Sequence, residues 1–171
     1  MIEEVHIPLN RSKLLVQIVV LSILGIGALV TAFGLSDQMP GSPLILKGFG
    51  IVTCLFCLVA AGSIAKKRAD KQAGVTINKE GILDTSSSIS IGLIKWKDVT
   101  SVDKDESMAA GLLIIHVKNQ NEYLKKAKNS AIERLLKQNL RKFDTPVVIE
   151  AKYLDCSLEE LIDTVIERYR K

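Results

Sequence analysis

Few side chains in this 171-residue chain carry reactive chemistry, and those that do are scattered. Cys54 and Cys57 form a Cys-x-x-Cys pair, a spacing that serves dithiol redox chemistry or soft-metal binding. Here the pair lies inside an apolar run with no other soft ligand near it, which favours two small apolar side chains or an acylation site. Cys156 lies far away and reads as a free thiol of a reducing compartment. His116 falls in the apolar stretch Met108–Val117 without an acid or nucleophile motif, so a hydrogen-bonded structural role is expected. His6 has no partner in sequence and reads as solvated. Asp98, Asp103, Asp105 and Glu106 cluster near strand ends; carboxylates so placed suit a hard cation, but a solvated acidic turn explains them more simply. No Gly-x-Ser-x-Gly, His-Glu-x-x-His, P-loop or zinc spacing occurs. The expectation is a protein that is not an enzyme, with no catalytic residues, no metal and no cofactor.

The remaining chemistry is positive charge. Lys66, Lys67 and Arg68 close an apolar run. Lys125, Lys126, Lys128, Arg134, Lys137 and Arg141, together with Lys142, stud the polar face of Asn121–Asp144 against Glu122 and Glu133. The first nine are the candidate contacts for anionic lipid or a protein partner. For the second cluster three readings stand: a solvated helix face, an amphipathic helix on the inner leaflet, or a surface for an acidic partner. The whole chain carries only +4, which gives nucleic-acid binding little support.

The elements that position these residues begin with two apolar runs, Leu14–Leu35 and Leu44–Ala65. Each has about the twenty residues that a helix needs to cross roughly 30 Å of hydrocarbon. Their few polar members, Gln17, Ser22 and Thr31, can bond within the hairpin or to a carbonyl one turn back, and Lys47 can reach headgroups along its stem. The connector Ser36–Pro43 has turn formers and no Lys or Arg. Arg11 and Lys13 precede the pair, and Lys66, Lys67, Arg68 and Lys71 follow it, so the positive-inside rule puts both termini in the cytoplasm. Small residues (Gly25, Gly27, Ala28, Ala32 and Gly34; Gly48, Gly50, Ala60, Ala61 and Gly62) would let the two helices approach closely.

The chain therefore divides into a lead-in (1–13), a two-helix hairpin (14–65), a basic linker (66–73) and a cytoplasmic domain (74–171). In the lead-in, alternation at Val5, Ile7 and Leu9 permits a strand. In the domain, Val75 and Ile77 alternate, Lys79-Glu80-Gly81 turns, and Ile82-Leu83 returns, which makes a β-hairpin. Asp84–Ser88 is expected as a loop, strands follow through Val102, Asp103–Ser107 is a break, and Met108–Val117 is a long buried strand. Asn121–Asp144 turns helical, as two pieces, with Ser130-x-x-Glu133 expected to cap the second. Thr145-Pro146 ends it, Val147, Ile149 and Ala151 alternate in a last strand, and Ser157-x-x-Glu160 caps a final amphipathic helix. The class is α+β: a transmembrane helical hairpin, then a bent antiparallel sheet with a helical insertion and a capping C-terminal helix.

Several stretches, GVTINKEGI, IGLIKWKDVTSVD, LLIIHVKN and TPVVIEAKYLDCSLEELIDTVIERY, resemble a bacterial PH-like (pleckstrin-homology-like) domain. The full chain is similar to a family of uncharacterised bacterial membrane proteins with a helical hairpin ahead of such a domain; NEYLKKAKN and LLKQNLRKFDTP are similar to its insertion. The resemblance implies a PH-like fold and a multi-pass protein of the bacterial inner membrane. It brings no catalytic residues and no phosphoinositide motif, and fold does not imply function. Three functions follow as expectations: a membrane-tethered binding or scaffolding module for a protein partner or its own copy, a sensor of anionic lipid surfaces, or an immunity or accessory protein against a membrane-active toxin.

Overall fold

The computed structural model describes residues 4–35, 38, 42–87, 89–106 and 111–169. Most of the connector 36–41, Ser88, Ser107–Ala110 and the terminal Arg170 and Lys171 lie outside the described residues, and the expectations for them with it. The chain forms two compact units: one of residues 10–71, the other of 1–9 together with 72–171.

The first unit is a helical hairpin. Helix α1 spans Arg11–Val30 and starts at Asn10, whose side chain accepts from the Lys13 N–H at 3.0 Å. It continues as a π-helical turn, Thr31–Leu35. Helix α2 spans Pro43–Ala69, with proline in the first turn, where its missing N–H costs nothing, and Lys66, Lys67 and Arg68 in the last, where cations oppose the helix dipole. The Ser22 hydroxyl donates to the Ile18 carbonyl (2.8 Å) and that of Thr31 to the Gly27 carbonyl (2.9 Å), which satisfies both one turn back as expected. Counting the π-helical turn, the two helices run to 25 and 27 residues, long and apolar enough to cross a membrane. Only some of the small residues serve their contact. A side chain at Gly50 would collide with Ala32 Cβ and lie 2.7 Å from the Ala28 carbonyl oxygen, and a Cβ at Gly25 would lie 3.3 Å from Cys57 Cβ. Gly27, Gly48 and Gly62 have nothing within 4 Å of that position, so they face away from the contact.

The second unit holds two antiparallel sheets. Strands β1 (Val5–Pro8), β2 (Gly74–Ile77), β3 (Gly81–Asp84) and β4 (Gly92–Lys95) form one in that order; β5 (Val99–Asp105), β6 (Leu112–Val117) and β7 (Val148–Glu150) form the other. The lead-in is thus part of the sheet: Val5 lies opposite Ile77 and Pro8 opposite Gly74. The linear division of the chain hides this, because β1 and β2 are neighbours in space with the whole hairpin between them in sequence. The β2–β3 turn is built by Asn78, whose Oδ1 accepts from the N–H groups of Glu80 (2.9 Å) and Gly81 (3.2 Å). Strand β5 continues to Asp105 instead of breaking at Asp103. Asp103 and Lys104 are exposed and Asp105 is half-buried, while the backbone pairs with β6, Asp103 opposite Ile114 and Asp105 opposite Leu112.

Helices α3 (Gln120–Lys125) and α4 (Ser130–Phe143) separate β6 from β7, and α5 (Leu158–Tyr169) ends the described chain. The N-cap of α4 is Asn129, whose Oδ1 accepts from the Ile132 N–H at 2.9 Å. The expected capping box at Ser130 is therefore corrected by one residue: Asn129, in extended backbone (φ −162°, ψ 171°), takes the cap, and Ser130 becomes the first helical residue. Asp144, at φ 55°, terminates α4 in the left-handed conformation. The box at α5 forms as expected: the Ser157 N–H donates to Glu160 Oε2 (2.8 Å) and the Glu160 N–H to Ser157 Oγ (3.2 Å). Val75, Ile77, Ile82 and Ile94 from one sheet, Leu113, Ile115 and Ile149 from the other, and Leu161 and Val165 from α5 are fully buried and make the core.

Candidate functional site

The basic segment is held in place by an aromatic anchor that periodicity does not single out. Tyr123 on α3 is 2% exposed. Its hydroxyl donates to Asp98 Oδ2 (2.9 Å) and accepts from the Lys95 N–H (3.3 Å). Burial, opposed by the Lys95 N–H and aided by the hydrogen bond that Asp98 accepts, pushes the phenol up to about 12. Lys126 Nζ lies 4.3 Å from the Tyr123 ring centre and donates to the Leu93 carbonyl (2.8 Å). Loss of hydration, then repulsion from Lys95, lowers its pKa. α3 is thereby fastened to the outer edge of β4.

This anchoring divides the candidate cations. Lys126 turns its ammonium onto the Leu93 carbonyl of β4, although the residue stays exposed. Lys125 and Lys137 come together in an open groove of about 640 Å³ between α3 and α4, with Leu124, Ala127 and Asn129 among its walls. Glu133 also lines it and pairs with Lys137 at 2.6 Å. Arg134, Lys137 and Arg141 are exposed along α4 at helical spacing that keeps them on one stripe. Lys128 is exposed between the helices. Lys66, Lys67 and Arg68 belong to the other unit, in the last turn of α2, and Arg68 Nε donates to the Arg11 carbonyl at 3.3 Å.

The other candidates do not converge. Asp98 is taken by Tyr123, and Asp103 Oδ2 lies 3.1 Å from Nε2 of His116, so the lone histidine is hydrogen-bonded across β5 and β6. Among the described residues no three His, Cys, Asp or Glu side chains are grouped as metal ligands. Cys57 is buried and Cys54 half-buried at the contact of α1 with α2. His6 Nδ1 lies 2.8 Å from Thr76 Oγ1 on the neighbouring strand, a partner 70 positions away that no local reading could find. Trp96 donates from Nε1 to the Asn78 carbonyl (2.8 Å), and its ring centre lies 6.3 Å from that of Tyr169.

Comparison with family models, with curated proteins and with solved structures gives no match.

Proposed function

We propose that this chain is a membrane-tethered, non-catalytic binding or scaffolding module, its sheet domain PH-like and its hairpin seated in the bacterial inner membrane. The observation that carries the reading is the place of the hairpin, inserted between paired neighbours β1 and β2. Chain that leaves a sheet after Pro8 and re-enters it at Gly74 must begin and end its excursion on one side of a bilayer, as two spans require. Arg11, Lys13, Lys66, Lys67, Arg68 and Lys71 at those ends make that side the cytoplasm. Antiparallel strands, a helical insertion and a closing helix follow in the order that the PH-like resemblance implies, with β1 added from the lead-in. The groove of Lys125 and Lys137 and the stripe of Arg134, Lys137 and Arg141 are the surface offered to a partner.

The test is photocrosslinking in cells from positions 125 and 137. Capture of a discrete protein, or of a second copy, supports the module. Capture of nothing in the native membrane sinks it. Capture of lipid alone moves the assignment to a second reading, a sensor of anionic surfaces, which the position of Lys66, Lys67 and Arg68 in the last turn of α2 favours.

A further inference from the structure

Sheet edges present unpaired N–H and C=O groups that recruit other strands unless something covers them. The two sheets differ in this respect. At β4 the outward Lys95 N–H goes to the Tyr123 hydroxyl and the outward Leu93 carbonyl to Lys126 Nζ. At β7 the ladder to β6 runs through Ile149, with the Val147 carbonyl accepting from the Ile115 N–H (3.1 Å) and the Ala151 N–H donating to the Gly111 carbonyl (3.0 Å). Backbone groups alternate sides along a strand, so the N–H and C=O of Val148 and of Glu150 point away from β6. The Glu150 carbonyl opens the short turn Ala151–Tyr153 and is taken up there, while among the described residues nothing pairs with the N–H and C=O of Val148 or with the N–H of Glu150.

Beside this edge lies a groove of about 310 Å³. Ile89, Leu112, Phe143 and Val148 give it an apolar lining, Glu150 lines it from the strand, and Gln138 and Lys142, whose Nζ lies 4.7 Å from the Phe143 ring centre, stand on the α4 bank. Beyond them the same helix exposes Arg134 and Arg141. Open backbone groups at alternate residues, an apolar recess next to them and a cationic bank are the three requirements for adding a strand of acidic character.

We propose that β7 is a docking edge for an extended, acidic segment of a partner protein. The segment adds as a further strand on Val148 and Glu150, seats an apolar side chain against Ile89, Leu112 and Phe143, and directs carboxylates toward α4. This rests on the binding-module reading and names its site and the chemistry of its partner.

The experiment uses the full chain in nanodiscs and a short synthetic peptide alternating valine and glutamate. Its controls are the same peptide with alternate backbone nitrogens methylated, and a valine–lysine counterpart. Binding of the first peptide alone, with amide exchange slowed at Val148 and Glu150, is the expected result. Glu150→Pro should weaken it about tenfold without moving Tm, since the lost N–H faces outward and the native φ of −86° is close to that of proline. That loss would run against charge, because removing a carboxylate by itself favours an acidic peptide. Lys142→Glu, which leaves the strand intact, should weaken binding as well. Unchanged binding in Glu150→Pro, protection at other amides, no binding, or protection of the same amides by a second copy without peptide would each overturn the proposal. Crosslinking from position 137 separates the two readings. A partner still captured by Glu150→Pro leaves the module standing and removes the β7 edge; no capture by the unmodified chain removes the module itself.

Discussion

In the α1–α2 hairpin Leu44 is 80% exposed and Phe49 73%, whereas in the sheet unit Ile77 and Ile82 have no exposed surface. The residue types are alike and their placement is opposite. A helix pair that turns its Leu, Ile, Val and Phe outward is stable only where the surrounding phase is itself apolar, and it is then held together by small residues such as Gly25, Gly50 and Ala32 at the contact. The sheet unit has the usual aqueous arrangement, in which removing apolar area from water drives packing. Exposure therefore means something different in each unit, and substitution can separate the two meanings.

The largest effect is expected in the sheet core. Ile82→Ala should destabilise the sheet unit by about 2–5 kcal/mol, through lost transfer energy and the cavity left behind. Leu58→Ala in the hairpin, where the side chain is 62% exposed, should leave the same unfolding transition unmoved, as followed by Trp96 fluorescence. Equal losses would erase the distinction between the units.

Next comes a charge at two exposed positions. Val52→Lys on α2 should raise the cost of membrane insertion by about 2.5–3.5 kcal/mol, read as the inserted fraction in a translocon assay. Thr100→Lys, also exposed, should stay within about 0.5 kcal/mol of the parent in thermal unfolding.

Tyr123→Phe removes the donor to Asp98 and the acceptor for Lys95, at a cost of about 1–3 kcal/mol. It also carries a pH signature. Burial holds the Tyr123 proton to about pH 12, while the unfolded phenol releases it near the model-compound value of 10.0. The folded state thus binds more protons in that window, and this stabilisation, complete below pH 10.0, is lost as the pH rises toward about 12. Lys126, with its pKa lowered, contributes a slope of the opposite sign as the pH approaches 10.5, so the comparison needs Tyr123→Phe alongside Lys126→Met. A parent and a Tyr123→Phe variant with the same high-pH slope would show that the anchor is not buried as described.

The smallest contrast is between two serines that look alike in sequence. Ser157→Ala should cost about 1 kcal/mol, because its hydroxyl caps α5. Ser130→Ala should cost almost nothing, because Asn129 caps α4. Differential denaturation of the two variants checks this directly.

The hairpin was legible because its signal is one-dimensional: length, apolar composition and flanking charge are all properties of consecutive residues. The α5 capping box and the β2–β3 turn were legible for the same reason, since each closes within a few positions. The candidate site was only partly so. Nine cations were visible as a list, but their partners were not: Lys126 is tied to a tyrosine ring and a carbonyl on β4. Tyr123 itself gave no sign, being one aromatic residue in a short helix whose partners, Lys95 and Asp98, lie 28 and 25 positions away.

By itself, then, the order of residues determined the two long apolar helices, the α+β class of the chain and the capping of the last helix, since each depends on the local period of hydrophobicity or on a bond across a few residues. The tertiary structure alone decided three things. It made residues 5–8 a strand of a domain that otherwise begins more than sixty positions later; it divided the cations between anchor and surface; and it left the β7 edge open. Each is a long-range pairing, and the free energy of such a contact comes from groups that meet only after the chain has closed a loop between them.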